Sequence, residues 1–376
     1  MKKIITIIIC TLVLAACGNK HTNRQSHNQS DALTPLSYAK GFSIQYSDKY
    51  KAITVFNPWK KGEVYAKYYL VHEKEEKTPS DGIKIQIPIT NMAGSSVTHL
   101  SFLDLLGEIK SVTGFCSPHL AFNKAFRKNY SAGEIIDLGE EFTMNVEKVM
   151  ALKPEILMIN GYNQTDANVQ RIQQAGIPVV FNIEWTETTP LGRAEWIKFF
   201  ATFFDKEQFA DSVFNTVCNR YNNLKNKAIN TKNKPNILSG GNFRGTWYMP
   251  SGRSFMGELY RDAGAYYFYA NDTTGRSLPL NFETVLKNFS NAQVWLNCSY
   301  NSMSELQKAN EKNKLFLPVK NGQVYNFNKR MFSTTANDFW ESGVSRPDLL
   351  LSDVIAILHP ELLPHHTLYF ANQLKP

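Results

Sequence analysis

Aromatic rings and guanidinium groups recur in short stretches that follow strand-like apolar runs. In the first half of the chain these stretches hold Ser95-Ser96, Tyr162 and Trp185; in the second they hold Phe243, Arg244, Trp247, Tyr248, Arg276, Arg330 and Trp340. Ring faces and arginine forks suit capture of a large amphiphilic chelate carrying carboxylates, amides or phosphate. Trp247 and Trp340 lead these candidates, whereas Tyr266–Tyr269 reads as strand core. Catalysis has no comparable signature, because G-x-S-x-G, a Gly-Lys-Ser/Thr phosphate loop, H-E-x-x-H and C-x-x-C are all absent. The chain therefore reads as a binding protein and not an enzyme. His99, His119, His359, His365 and His366 lack metal-ligand spacing, and the last three are expected on the surface. No cofactor and no protein-held metal is expected.

The elements that must position these residues begin after a targeting segment. Lys2 and Lys3 precede an apolar run from Ile4 to Leu14, followed by Ala15-Ala16-Cys17-Gly18, the flanks of a signal peptide and not of a membrane span. Leu14-Ala15-Ala16-Cys17 resembles the lipobox of bacterial lipoproteins, which implies diacylation of Cys17. Gly18 to Thr34 is polar, has no hydrophobic period and reads as a tether. Removing Lys2 and Lys3 lowers the formal charge from +8 to +6, spread along the chain, so no nucleic-acid partner is expected. Only Cys116, Cys218 and Cys298 remain, too few for a disulfide framework, and they read as free thiols.

Ser37 to Ile89 alternates in the manner of a β-meander, punctuated at Asp48-Lys49, Asn57-Pro58, Lys61-Gly62 and Pro79 to Gly82. Strand and helix patterns then interleave. Strands are expected over 87–92, 108–113, 155–159 and 177–181, and helices over 97–106, 145–152 and 167–175, the order of a mainly parallel sheet whose ligands bind beyond strand ends. A long helical stretch begins near Leu191 and runs through Trp196, Phe199, Phe200, Phe203, Phe204 and Phe214 to Ile229; its 206–229 part alone spans about 35 Å. From Asn236 the alternation resumes.

An internal repeat is the most informative pattern. Asn145-Val146-Glu147-Lys148-Val149 and Asn281-Phe282-Glu283-Thr284-Val285 each open a helix that leads to a buried strand closing in Asn, at Asn160 and Asn297. Asn caps orphan N–H groups and Glu suits the first turn, and the repetition places one matched acid in each half.

These segments, with Ala175 to Val180 and Pro190 to Arg193, resemble class III substrate-binding proteins of ABC importers, the vitamin B12-binding and ferric-siderophore-binding family. The resemblance runs over roughly residues 83–363. It implies an α/β fold of two Rossmann-like lobes bridged by one long α-helix, here with an N-terminal β-meander extension. The expected organisation is 1–16 signal peptide, 17–36 lipidated Cys17 and tether, 37–188 N-terminal lobe with meander, 189–230 linking helix region and 231–376 C-terminal lobe. It further implies a monomer, lipid-anchored outside the cytoplasm, that captures an iron chelate or a corrinoid and presents Glu147 and Glu283 to arginines of an ABC permease dimer. Three converging arginines would favour an anionic ferric siderophore or citrate; aromatic loops with few charges would favour a corrinoid. The alternative is an adaptor lipoprotein of the same fold that works through the meander without a permease.

Overall fold

The computed structural model of the chain describes residues 32–33, 35–162 and 166–375. The expected signal peptide, Cys17 and most of the tether lie outside the described residues. At its end the tether reading is corrected: Ala32–Leu33 (β1) pairs antiparallel with Gln45 and Tyr46, and Leu36 packs on the core. An open sheet edge recruits neighbouring backbone even from an otherwise polar segment.

In β2 (Phe42–Tyr46), Phe42 and Ile44 are buried, the period of two of a strand with one face on a core; in β3 (Lys51–Phe56) Ile53 and Val55 continue that face, and β4 (Val64–Val71) is buried on both faces from Tyr68 to Val71. With β5 (Ile83–Gln86) they form one sheet in the order β1-β2-β3-β4-β5, antiparallel except for the β4–β5 pair. The meander shares the core of the first lobe, with the Phe42 ring 4.7 Å from Trp196 and 5.6 Å from Phe199.

The first lobe is a parallel sheet of β6 (Met92–Gly94), β7 (Val112–Phe115), β8 (Ile136–Asp137), β9 (Ile156–Asn160) and β10 (Val179–Asn182), ordered β10-β9-β6-β7-β8. Two strands sit later than their apolar runs suggest. Pro88 has no N–H for a ladder, so the first begins only at Met92. Gly107, at φ 71°, ends the preceding helix, and a short 3-10 turn over Ile109–Ser111 delays the second to Val112.

The helical stretch from Leu191 is three helices, Pro190–Ala194, Ile197–Thr202 and Glu207–Ile229. Asp205 breaks it with φ 55°, its carboxylate held by Lys51 at 2.5 Å and His72 at 3.0 Å. Trp196, Phe199, Phe200, Phe203 and Phe204 consequently fill the first lobe's core before the long helix begins. That helix has 23 residues, about 35 Å. Ala210 and Phe214 belong to the first core, Tyr221 and Ala228 to the second.

The second lobe is built on a short parallel pair, β11 (Ile237–Ser239) with β15 (Val294–Leu296), extended by single bridges at Tyr266 and Val324. Beside it β12 (Gly241–Phe243), β13 (Thr246–Pro250) and β14 (Ser277–Leu280) form an antiparallel sheet, and β16 (Tyr325–Asn326) pairs with β17 (Asn372–Gln373). Tyr266–Tyr269 is not a strand: Tyr266 and Phe268 are exposed and only Tyr267 is buried. Of the tail histidines His365 is exposed as expected, and the other two are not. His359 is buried, and His366 bonds Asp353 at 2.7 Å, the carboxylate that also accepts from the N–H groups of Tyr369, Phe370 and Ala371. Cys116, Cys218 and Cys298 are free thiols.

One buried carboxylate latches the lobes together. Glu341 accepts from the N–H groups of Phe122 at 2.7 Å and Asn123 at 3.2 Å, next to a bond between the Ser101 and Ser345 hydroxyls. Burial pushes its carboxyl from 4.5 up to about 7, against the pull of the two N–H groups. Between those values the folded chain holds a proton that the unfolded chain has released, so this contribution to stability is complete below about pH 4.5 and is lost as pH rises through about 7. Thermal melts at pH 5 and pH 8 check this: the wild type should lose more stability over that interval than Glu341→Gln, and equal losses would refute it.

Candidate ligand site at the strand ends of the first lobe

The strand order of the first lobe reverses between β6 and β9, so the loops leaving those strands diverge and open a crevice, the usual ligand position in such sheets. Ser95-Ser96 leaves β6, Gly161-Tyr162 leaves β9 and Glu184-Trp185 follows β10. The sequence reading placed all of these in one site, and the fold brings them to one end of the sheet.

The floor of the crevice is polar. Ser95 Oγ donates to Glu141 Oε1 at 3.0 Å, and Asn160 Nδ2 donates to the same oxygen at 2.9 Å. Burial raises the Glu141 carboxyl, opposed by those donors. Ser95 is therefore buried and engaged within the protein, while Ser96 caps the helix Val97–Leu106 by accepting from the Thr98 N–H. Glu184 is buried, with its carboxyl raised by burial and Oε2 without a partner. His99 makes no hydrogen bond of ordinary length, and burial drives its pKa down to about 3 against an opposing pull from the Asn160 side chain, so its imidazole is neutral at ordinary pH.

The rim is aromatic. Phe142, Tyr162 and Trp185 follow one another at ring separations of 5.4 and 5.8 Å, and all three are exposed, Phe142 at 69 %. Burial raises the Tyr162 phenol to about 12, so it stays neutral. Arg193 fixes the Trp185 loop by donating to the carbonyls of Trp185 at 2.8 Å and Glu187 at 3.1 Å, and its guanidinium lies 4.6 Å from the ring centre of Phe255 in the second lobe. Sequence reasoning missed Phe142 and Glu141. They follow β8, whose two residues are too few to register as an apolar run.

The second lobe treats its candidates differently. Trp247 is 1 % exposed, stacked among Phe282, Trp295 and Phe316 with Nε1 donating to the Ser239 carbonyl; it is core and offers a ligand no face. Its neighbour Tyr248 points outward, as do Phe243 and Trp340. Arg244 and Gly245, both at positive φ, form the tight turn between β12 and β13, the geometry of a two-residue hairpin. Arg276 sits beside the opposite end of β13, so the two are separated by at least about 13 Å along that strand. Arg330 is held by Asp338 at 2.5 Å and lies over the Phe122 and Tyr369 rings. With Lys124, Lys128, Arg346 and Glu341 it lines a cavity of about 670 Å³ between the lobes. Arg244 and Arg276 thus stand apart, and the convergence of three arginines that would favour an anionic chelate over a corrinoid is not seen.

Glu147 and Glu283 occupy matching places. Each is the second residue of its helix, Val146–Leu152 or Phe282–Phe289, behind Asn145 or Asn281, whose side chain caps the N–H of Lys148 at 2.9 Å or Thr284 at 2.8 Å. Both are exposed, and Glu147 is held below its ordinary range by its own backbone N–H and by Arg171 at 3.2 Å.

Comparison with known proteins bears on this architecture. A lipoprotein of Methanocaldococcus jannaschii, itself uncharacterized, is 27 % identical over 411 aligned residues, covering 98 % of this chain and 96 % of its own. The triscatecholate siderophore binding protein FeuA of Bacillus subtilis, solved with ferri-bacillibactin, superposes with a TM-score of 0.57 at 16 % identity, over 77 % of this chain and all of its own. The vitamin B12 binding protein BtuF of Vibrio cholerae gives 0.53 at 14 %, over 74 % of this chain and 99 % of its own. At such identities the likeness is one of fold. The family model for periplasmic binding proteins, in contrast, matches the sequence itself over residues 98–330. Because that span takes in more than half of the chain and runs from the first helix of one lobe to Arg330 in the other, the chain belongs to the periplasmic binding protein family.

Proposed function

We propose that this chain is the lipid-anchored substrate-binding component of an ABC importer, and that it carries a planar macrocyclic metal chelate of the corrinoid type. The observation that carries the transport reading is the matched pair of exposed acids, Glu147 and Glu283, at equivalent capped helix starts in the two lobes. Carboxylates so placed can dock on arginines of a two-fold permease, where charge-assisted pairs set orientation as well as energy. The functional units follow the sequence boundaries except at the tether: signal peptide 1–16, Cys17 and a tether that ends where Ala32 joins the sheet, N-terminal lobe to 188, linking region 189–230 and C-terminal lobe 231–376.

The ligand reading rests on the contrast between the rings and the arginines. Phe142, Tyr162 and Trp185 present adjoining faces, whereas Arg244 and Arg276 are at opposite ends of a strand and Arg330 is neutralised by Asp338. Stacking surface with little net positive charge suits a large flat ligand better than a polyanion.

Three outcomes test the reading. The double variant Glu147→Arg/Glu283→Arg should abolish uptake by cells while leaving ligand affinity unchanged; undiminished uptake would remove the docking assignment. Tryptophan fluorescence titrated with cyanocobalamin, haem and ferric siderophores should respond at micromolar or lower concentration to the corrinoid, and preference for a siderophore would overturn the macrocycle. Replacing Cys17 with Ala should move the protein from the membrane fraction to the soluble one, as judged by fractionation and immunoblot; continued membrane association would exclude the lipid anchor.

A further inference from the structure

The aromatic rim does not end with the first lobe. Asn57 Oδ1 accepts from the N–H groups of Trp59 at 2.9 Å and Lys60 at 3.1 Å, and the Asn57 N–H reaches the Glu63 carbonyl at 2.9 Å. That closed turn between β3 and β4 holds Trp59 with its ring 6.1 Å from Trp185 and 5.5 Å from Tyr65. Tyr65, on β4, stands edge-on to Phe181 at 5.1 Å. Its hydroxyl donates to the Tyr162 carbonyl at 2.7 Å and accepts from the Tyr162 N–H at 3.1 Å. A Cβ at residue 161 would meet the Tyr65 ring at 2.9 Å, so Gly161 is what lets β4 approach the loop after β9. The meander thereby fixes the backbone of one rim residue and sets a tryptophan against another.

Beside these rings lies a cavity of about 60 Å³, walled by the rings of Tyr65, Phe142, Tyr162 and Phe181 and by aliphatic side chains such as Ile159 and Ile172, with Glu141, Asn160, Asp166 and Asn168 as polar groups. Asn160 Oδ1 makes no hydrogen bond of ordinary length, although the Asn160 side chain also interacts with the His99 imidazole and the Tyr162 phenol. A space of this size admits a small polar substituent, since one water needs about 10–15 Å³ by the same measure. The side-chain oxygens of Glu141, Asn160, Asp166 and Asn168 make the cavity rich in acceptors and suit a donor such as an amide N–H. A docking protein would need on the order of 800 Å² of its own surface here, whereas a small cavity rich in acceptors beside a wall of rings fits the edge of a small molecule.

We propose that the N-terminal meander is part of the ligand site: Trp59 and Tyr65 extend the ring wall of Tyr162 and Trp185, and the adjoining cavity takes an amide-bearing edge group of a planar macrocycle. This rests on the ligand-capture reading above. It assigns a specificity role to residues upstream of the family-matched span. Trp59 touches the ligand, and Tyr65 acts as a positioning residue through Tyr162.

The test titrates the full-length protein and Trp59→Ala with cyanocobalamin and with haemin. The expected result is about a tenfold or greater loss of affinity for whichever macrocycle the wild type binds, a ring contact's worth, with an unchanged melting temperature. Should Trp59→Ala melt early, Trp59→Leu, which keeps apolar bulk on the turn but no ring, is read in the same way. Equal affinity of wild type and variant overturns the role of the meander and leaves the transport reading intact. Failure of the wild type to bind either macrocycle overturns the macrocycle as ligand and with it the role proposed for the meander.

Discussion

Five consecutive backbone N–H groups, from Ser37 to Gly41, end on two carboxylates of the segment that joins the lobes. Glu195 takes the first three at 2.7–3.0 Å and Glu187 the next two at 2.8 Å, and Glu187 also accepts from the Trp196 indole. A segment that enters a core outside any ladder must still satisfy its donors, and a carboxylate can collect several at once in charge-assisted bonds. Gly41 allows the close approach, because a Cβ there would stand 2.8 Å from the Trp196 ring. The same device recurs where Asp353 gathers the tail, Glu155 the Thr90-Asn91 turn and Glu341 the loop across the lobes. Losing one of these acids would orphan two or three donors, each costing about 1–3 kcal/mol if left buried.

The parts legible in the sequence are those decided locally. Cap chemistry at Asn145 and Asn281 is a matter of three residues, which is why the repeat and the two matched acids could be read directly. Buried parallel strands such as Ile156–Asn160 announce themselves as unbroken apolar runs. The illegible parts depend on which face or which neighbour wins. Trp247 and Tyr248 sit side by side on β13, one in the core and one outside; their alternation is visible, but its sense is set by Trp295 and Phe316 from distant segments. Arg244, Arg276 and Arg330 look equivalent as letters, and only the register of β13 with β14 and the presence of Asp338 separate them. The helical period from Leu191 onward hides a break because nothing in Asp205 itself demands a left-handed backbone; Lys51 and His72 from the meander hold it there.

The division of labour in the molecule follows from where its rings lie. The second lobe buries Trp247, Trp295 and Phe316 together as a conventional core. The first lobe spends a comparable set at 196–204 on joining the meander to the parallel sheet, and leaves Phe142, Tyr162 and Trp185 at its surface. Membership of the periplasmic binding protein family accounts for the lobes and the helix between them. It does not account for the five-stranded sheet, which lies before the matched residues yet packs as firmly as any other part of the first lobe.

The clasp at Ser37–Gly41 also has a mechanical meaning. Force arriving from upstream of Ala32 meets first a pairing of two residues with β2 and then five held donors on the Glu187–Glu195 segment. That segment leads into the 23-residue helix whose two ends are packed in the two cores. A pull on the chain's leading end is thus delivered to the one element that both lobes share, and not to the wall of rings at the strand ends.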